Sequence, residues 1–139
     1  MTGECFINNV DIWTTYGASL VDSSYENLLL PAPPKELTEN KSPLTNGKTV
    51  IMPATRKVDE KDVQVSIDIT GTSRTNYLSN YSALLTALSG AVAFKVVSLM
   101  TIYNFTVKSY VSLSAAVGLT SSILVIRFNE PNPANRTAL

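Results

Sequence analysis

Few residues in this chain could carry acid–base chemistry. The densest group of ionisable side chains is Asp59, Glu60 and Asp62, with Arg56, Lys57 and Lys61 interleaved. Paired carboxylates can act as general acid and base, as in glycoside hydrolysis. Here mixed signs fall on a polar stretch ahead of a strand, which reads as a solvated approach segment. The chain has no histidine, so Ser-His-Asp, Cys-His and histidine–metal constellations cannot be assembled. Cys5 is the single cysteine. It cannot form an intrachain disulfide, and within Cys5-Phe6-Ile7 it reads as a small buried hydrophobe. The glycines at 3, 17, 47, 71, 90 and 118 stand singly at element ends, so no phosphate-cradling loop is present. No catalytic, cofactor-binding or metal-binding residue is assigned, no cofactor is expected, and the chain is read as a non-enzyme.

Two weaker signals lead to the same reading. Asn40-Lys41-Ser42, Asn80-Tyr81-Ser82, Asn104-Phe105-Thr106 and Asn135-Arg136-Thr137 match the glycosylation sequon. Without a secretory signal these are chance matches in a chain rich in Asn, Ser and Thr. Trp13 and the six tyrosines could stack on sugars, but they are spread over several elements. Core or interface use is the better reading for them.

The elements that must position these residues are mostly strands. Residues 5–22 read as short strands about a turn, with Phe6-Ile7, then Asn8-Asn9, then Val10 to Trp13. Adjacent asparagines tolerate left-handed backbone angles. Tyr16-Gly17 punctuates before Ala18 to Val21. Residues 23–60 show little periodicity, and Pro31-Ala32-Pro33-Pro34 excludes helix and central strand. Asn46-Gly47 between two short runs predicts a hairpin over 35–52, projecting as an arm within about residues 31–60. Val63, Val65, Ile67 and Ile69 alternate with polar residues and mark a strand with one buried face. Tyr77, Tyr81, Leu84 and Leu88, widened by Leu78 and Leu85, predict a helix over 73–89 with Ser73 as N-cap and Gly90 as a left-handed C-cap. Strands follow over 91–99, 102–113 and 121–129, the last apolar enough to be buried on both faces. Residues 134–139 read as a frayed tail. The fold class is α+β, mainly an antiparallel β-sandwich or split barrel with one packed helix, forming a single domain over 1–139.

Composition narrows the partners. Lys plus Arg equals Asp plus Glu at 11 each, and only 16% of residues are charged. That balance lacks the basic excess of a nucleic-acid binder. A surface of Ser, Thr, Asn and Tyr is cheap to desolvate, as interfaces require. No apolar run is long enough for a transmembrane helix, and the N-terminus lacks a signal-peptide pattern. The reading therefore expects no membrane insertion and a cytoplasmic start.

In this order the features resemble the N-terminal, ring-forming domain of distal tail proteins from long-tailed phages, with a plan related to tail-tube proteins. The likeness covers roughly residues 5–133. It is carried by Phe6 to Ile12 as an opening strand-turn-strand, Tyr16-Gly17, the arm with Asn46-Gly47, and Arg56 ahead of the strand Val63 to Ile69. The helix to Gly90, the hairpin around Met100-Thr101 and the end at Asn129-Glu130-Pro131 complete it. The resemblance implies a virion structural protein that self-assembles into a hexameric ring between the tail tube and the tip or baseplate. The arm would reach a neighbouring subunit. Tail-tube and tail-tip or baseplate proteins would be its partners. The location would be the virion tail, with assembly in the host bacterial cytoplasm, whether from a phage, a prophage or a domesticated injection machine. The family often adds a C-terminal carbohydrate-binding domain, which this reading does not include. Trp13, the tyrosines and Leu28-Leu29-Leu30 are the candidate interface anchors. The alternative is a monomeric module that binds a surface or a carbohydrate through exposed aromatics.

Overall fold

The computed structural model describes residues 2–34, 38–40, 49–51, 59–115, 118 and 120–138. Asn8 and Asn9 both take left-handed backbone angles, with φ of 52° and 67°. They close β1 (Cys5–Ile7) onto β2 (Val10–Asp11), with Ile7 opposite Val10. The strand expected to continue through Trp13 stops at Asp11. The Asp11 carboxylate accepts the Trp13 N–H at 3.0 Å, and Gly17 closes the turn with φ 60°. Residues Ile12–Tyr16 thus form a one-turn helix, α1, because caps at both ends override the alternating pattern. A side chain at 17 would lie 2.4 Å from the Thr70 carbonyl oxygen, so only glycine fits.

After β3 (Ala18–Leu20) comes a second unexpected helix, α2 (Asp22–Leu29). Serine and asparagine are poor helix formers, and Leu28 is its one fully buried apolar side chain. It is held by the edge of β6 (Lys61–Thr70). Buried Ser24 donates its hydroxyl to the Ser66 carbonyl at 2.9 Å and accepts the Ser66 N–H at 2.8 Å. The Asn27 amide donates to the Gln64 carbonyl at 2.8 Å. Since β3 pairs only with Ile67 to Ile69 of β6, α2 covers much of the remaining edge.

Next come β4 (Thr38–Asn40) and β5 (Thr49–Ile51), paired antiparallel as a separate two-stranded sheet with Thr38 opposite Ile51. This is the hairpin expected in the arm. Its Asn46-Gly47 turn lies outside the described residues. The Asp59 N–H donates to the Pro33 carbonyl at 2.7 Å and ties the two ends of the segment together.

The main sheet is built on β6, whose Val63, Val65, Ile67 and Ile69 are buried as the alternation predicts. It pairs along its whole length with β9 (Ser121–Glu130), Lys61 opposite Glu130 and Thr70 opposite Ser121. The helix α3 (Arg74–Ala87) precedes β7 (Val92–Val96) and β8 (Thr101–Ala115), and β10 (Thr137–Ala138) follows β9. The strand order is β2-β1-β7-β8-β9-β6-β3, with β10 also beside β8. All pairs are antiparallel, and the sheet is open, ending at β2 and β3. β8 exchanges partners midway, pairing with β7 up to Phe105 and with β9 from Thr106. A strand shared in this way is compatible with a β-sandwich. The molecule is therefore mostly antiparallel sheet with three helices among the described residues, not one.

Packing corrects several finer expectations. Ser73 caps α3, accepting the Asn76 N–H at 3.2 Å. Tyr77, Leu84 and Leu88 enter the core, but Leu78 is exposed. Gly90 is not left-handed; the helix ends at Leu88, whose N–H donates to the Leu84 carbonyl. β9 buries only alternate residues, from Ser122 to Glu130, because one face of the sheet carries the core and Ile123 points to solvent. Phe94, Phe105 and Phe128 meet from neighbouring strands with ring centroids 5.1 to 5.8 Å apart. Such pairs add about 0.5–1.5 kcal/mol each beyond area burial.

The tail, expected to be frayed, instead pairs as β10 as far as Ala138. Arg136 makes a two-pronged contact with fully buried Glu130 at 2.7 and 2.8 Å and lies over the Tyr103 ring at 4.9 Å. The buried Lys61 ammonium donates to the carbonyls of Leu28, at 3.2 Å, and Leu30. Burial and the nearby Arg136 lower its pKa, while Glu130 acts in the opposite sense. These charges fasten β10 and the end of α2 to the ends of β6 and β9.

Candidate assembly surface

The feature that stands out is the outer half of β8. β7 pairs only as far as Phe105, opposite Val92, and β9 occupies the other side of β8. The edge from Thr106 to Ala115 that faces away from β9 therefore has no partner strand among the described residues. An unpaired edge presents a row of N–H and C=O groups to any passing strand. Natural proteins usually blunt such an edge with charge, above all lysine. Here residues 109 to 126 contain no charged side chain, and Lys108 and Arg127 mark the limits of that run.

Apolar side chains stay open along the same ribbon. Tyr110 is 48% exposed, Val111 and Leu113 are each 46% exposed, and Ile123 on β9 is 40% exposed. Two irregularities shape the strand. The register slips between Val107 and Ser109 and again between Tyr110 and Ser112, which makes Lys108 and Val111 the extra residues of two β-bulges. Bulges bend and twist a strand. They limit which partner can continue the ladder, without the charge that would repel every partner. Partial burial raises the Tyr110 pKa, with Tyr81 of α3 adding to it. At the base of the ribbon, Lys108 pairs with Asp62 at 2.7 Å, and Asn129 donates to the same carboxylate at 3.0 Å. Both contacts hold Asp62 below the usual aspartate range.

The anticipated anchors scatter. Leu28, Tyr16, Tyr77 and Tyr103 are core residues, Tyr25 and Tyr81 lie at its margin, and Tyr110 is the one exposed tyrosine. Leu29 and Leu30 are exposed beside the start of the arm. Trp13 is partly exposed and lines a polar cleft with Gly17, Thr70 and Asn80. Asp59 and Glu60 are exposed, and the Asp59 carboxylate accepts the Glu60 N–H at 2.8 Å. Arg56 and Lys57 lie outside the described residues. Cys5 is buried, and its thiol pKa is pushed far up by burial, then by Glu4 and Asp11. The sequence signal that bears on the ribbon is the uncharged run 109–126, but a run of that kind equally fits a strand pair buried on both faces.

The arm roots at one end of the paired strands β6 and β9, and the ribbon runs along β9 from that end, with its tip at the other. The arm closes at Pro33 and Asp59, beside Lys61, whereas the ribbon tip flanks Thr70 and Ser121. Ten paired residues separate those ends by about 30 Å.

No protein-family model matches the sequence, and no curated protein matches it. The fold is similar to the crystal structure of the SPP1 Dit (gp 19.1) protein, presented as a paradigm of the hub adsorption apparatus in phages infecting Gram-positive hosts. The TM-score is 0.62 at 12% sequence identity, over 94% of this chain and 50% of that one. This chain thus corresponds to about half the length of the phage protein. At that identity the likeness is one of fold.

Proposed function

We propose that the chain is a structural component of a phage tail or tail-like particle. It assembles through unlike surfaces into a closed ring, six copies being the expected number, between tail tube and tip or baseplate. The observation that carries the reading is the unpaired β8 edge, uncharged from Ser109 onward and with open apolar side chains, on a fold shared with a phage hub protein. An exposed edge of this kind needs a cover. The ribbon and the arm differ in residues, and the ribbon tip lies at the end of β6 opposite the arm. Contacts between unlike surfaces generate rings when the rotation closes. The neighbouring copy covers the β8 edge, and the arm reaches a neighbouring subunit. Tail-tube and tip or baseplate proteins are the partners above and below, the virion tail is the location, and assembly takes place in the host bacterial cytoplasm. No enzymatic step belongs to this role.

The test is the absolute mass of the purified chain, by light scattering coupled to size exclusion, over a concentration series. A species near six copies supports the ring. A monomer that persists at high concentration, and that does not join isolated tail tubes, refutes it and favours a solitary surface-binding module.

A further inference from the structure

We infer that the cleft between α1 and the first turns of α3 binds a neutral saccharide. The cleft has a volume of about 510 Å³, within the ~300–1,000 Å³ common for small-ligand sites. Trp13 and Thr15 of α1, Thr70 and Thr72 at the end of β6, and Asn76 and Asn80 of α3 line it, with the backbone at Gly17 and Gly71. No charged side chain among the described residues lines the cleft, so they offer nothing to pair with an ionic group.

The polar groups are already oriented. Asn76 Oδ1 accepts the Thr72 N–H at 3.0 Å, and Asn80 Nδ2 donates to the Thr70 carbonyl at 3.1 Å. The two amides also meet each other, Asn80 Nδ2 to Asn76 Oδ1, at 3.5 Å. Each amide has one half committed to the fold. The other halves, Asn76 Nδ2 and Asn80 Oδ1, have no partner among the described residues. One fixed donor and one fixed acceptor on neighbouring side chains match a vicinal diol, whose hydroxyls can each donate and accept. Trp13, 38% exposed, adds a flat apolar face of the kind that packs on the C–H face of a sugar ring, and its indole N–H has no partner among the described residues. Gly17 lets the Thr70 carbonyl and the Asn80 amide pack close against the loop after α1, since a Cβ there would lie 2.4 Å from that carbonyl oxygen and 3.2 Å from Asn80 Nδ2. A few convergent polar groups around an aromatic wall give orientation and specificity without charge.

Trp13 is the only tryptophan, so its emission reports on this cleft alone. The full chain is titrated with maltotriose, cellotriose and tri-N-acetylchitotriose. At least one is expected to shift the emission saturably with a Kd of about 1 mM or tighter. Calorimetry then compares two variants. Trp13→Ala removes the stacking face. Asn76→Asp keeps the oxygen that holds the Thr72 N–H but loses the free N–H donor, and a carboxylate is well placed in the first turn of a helix. Each is expected to weaken binding by roughly tenfold. The inference is overturned if none of the three gives a saturable response at about 20 mM, or if binding survives both substitutions unchanged.

Discussion

Replacing Val111 and Leu113 with lysine is expected to break the ring while leaving the subunit folded. Full burial of a Val, Leu or Ile side chain is worth about 1.5–3 kcal/mol. Tyr110, Val111, Leu113 and Ile123 keep 40% to 48% of their surface open. Covering that remainder returns ~1 kcal/mol each, or about 4 kcal/mol per contact. Val111 and Leu113 supply about half of it, and two ammonium groups under a neighbour add a desolvation cost of several kcal/mol. A loss of at least ~3 kcal/mol per contact weakens association about 150-fold. The subunit loses little, because both side chains are already nearly half open and a lysine stem can cover the same apolar surface. The assay is mass by light scattering at matched concentrations, with thermal unfolding as the control. The variant should run near 15.0 kDa with a Tm within about 5 °C of the parent, whereas six parent copies weigh about 90 kDa. A variant that keeps the parent ring mass would show that the β8 edge is not the contact.

Deleting residues 35–52 should also give a folded monomer, read by the same mass measurement; an unchanged oligomer would remove the arm from the mechanism. Glu130→Ala strands Arg136 in a partly buried site and removes the carboxylate that favours the charged form of Lys61. A loss of about 3–5 kcal/mol in urea unfolding is expected, and Arg136→Lys should recover only part of the pairing because a lysine cannot make the two-pronged, stacked contact. The Tyr25 pKa is raised to about 12 by burial and by the neighbouring Glu4. A phenol that holds its proton longer in the folded state contributes stability below its ordinary value near 10 and loses it as pH rises toward 12. Stability measured across that window should fall less steeply in Tyr25→Phe. The Cys5 thiol, buried and with a strongly raised pKa, should resist alkylation in the native state and react at the rate of global opening, so fast labelling without denaturant would contradict its burial.

Much of the architecture was legible before any coordinates. The alternation from Val63 to Ile69, the Asn8-Asn9 turn and the Ser73-capped helix rest on local physics, and each stands where it was expected. Two of the misses, α2 and β10, share one cause, which is stabilisation supplied from elsewhere in the fold. α2 has little intrinsic preference for helix, and its Ser24 and Asn27 bonds to β6 reach across 42 and 37 positions. β10 exists because Arg136 meets Glu130 and Tyr103. α1 was missed for a local reason, since Asp11 and Gly17 were read as strand and turn residues when they are the caps of one helical turn.

The same division holds for function. Composition, charge balance and the absence of histidine come from the chain alone, and they remove the chemistry that needs histidine or clustered cysteine. The alternating strands and the order of turns predict a mainly antiparallel domain, because side-chain period and turn angles are short-range properties. Only the tertiary structure decided that β7 pairs with β8 no further than Phe105 and leaves one edge of Thr106 to Ala115 without a partner strand among the described residues. Only it brought Trp13, Asn76 and Asn80 to one cleft from sites more than sixty residues apart. Strand neighbours and clefts are set by packing between distant segments, and no local pattern encodes which edge will be left open.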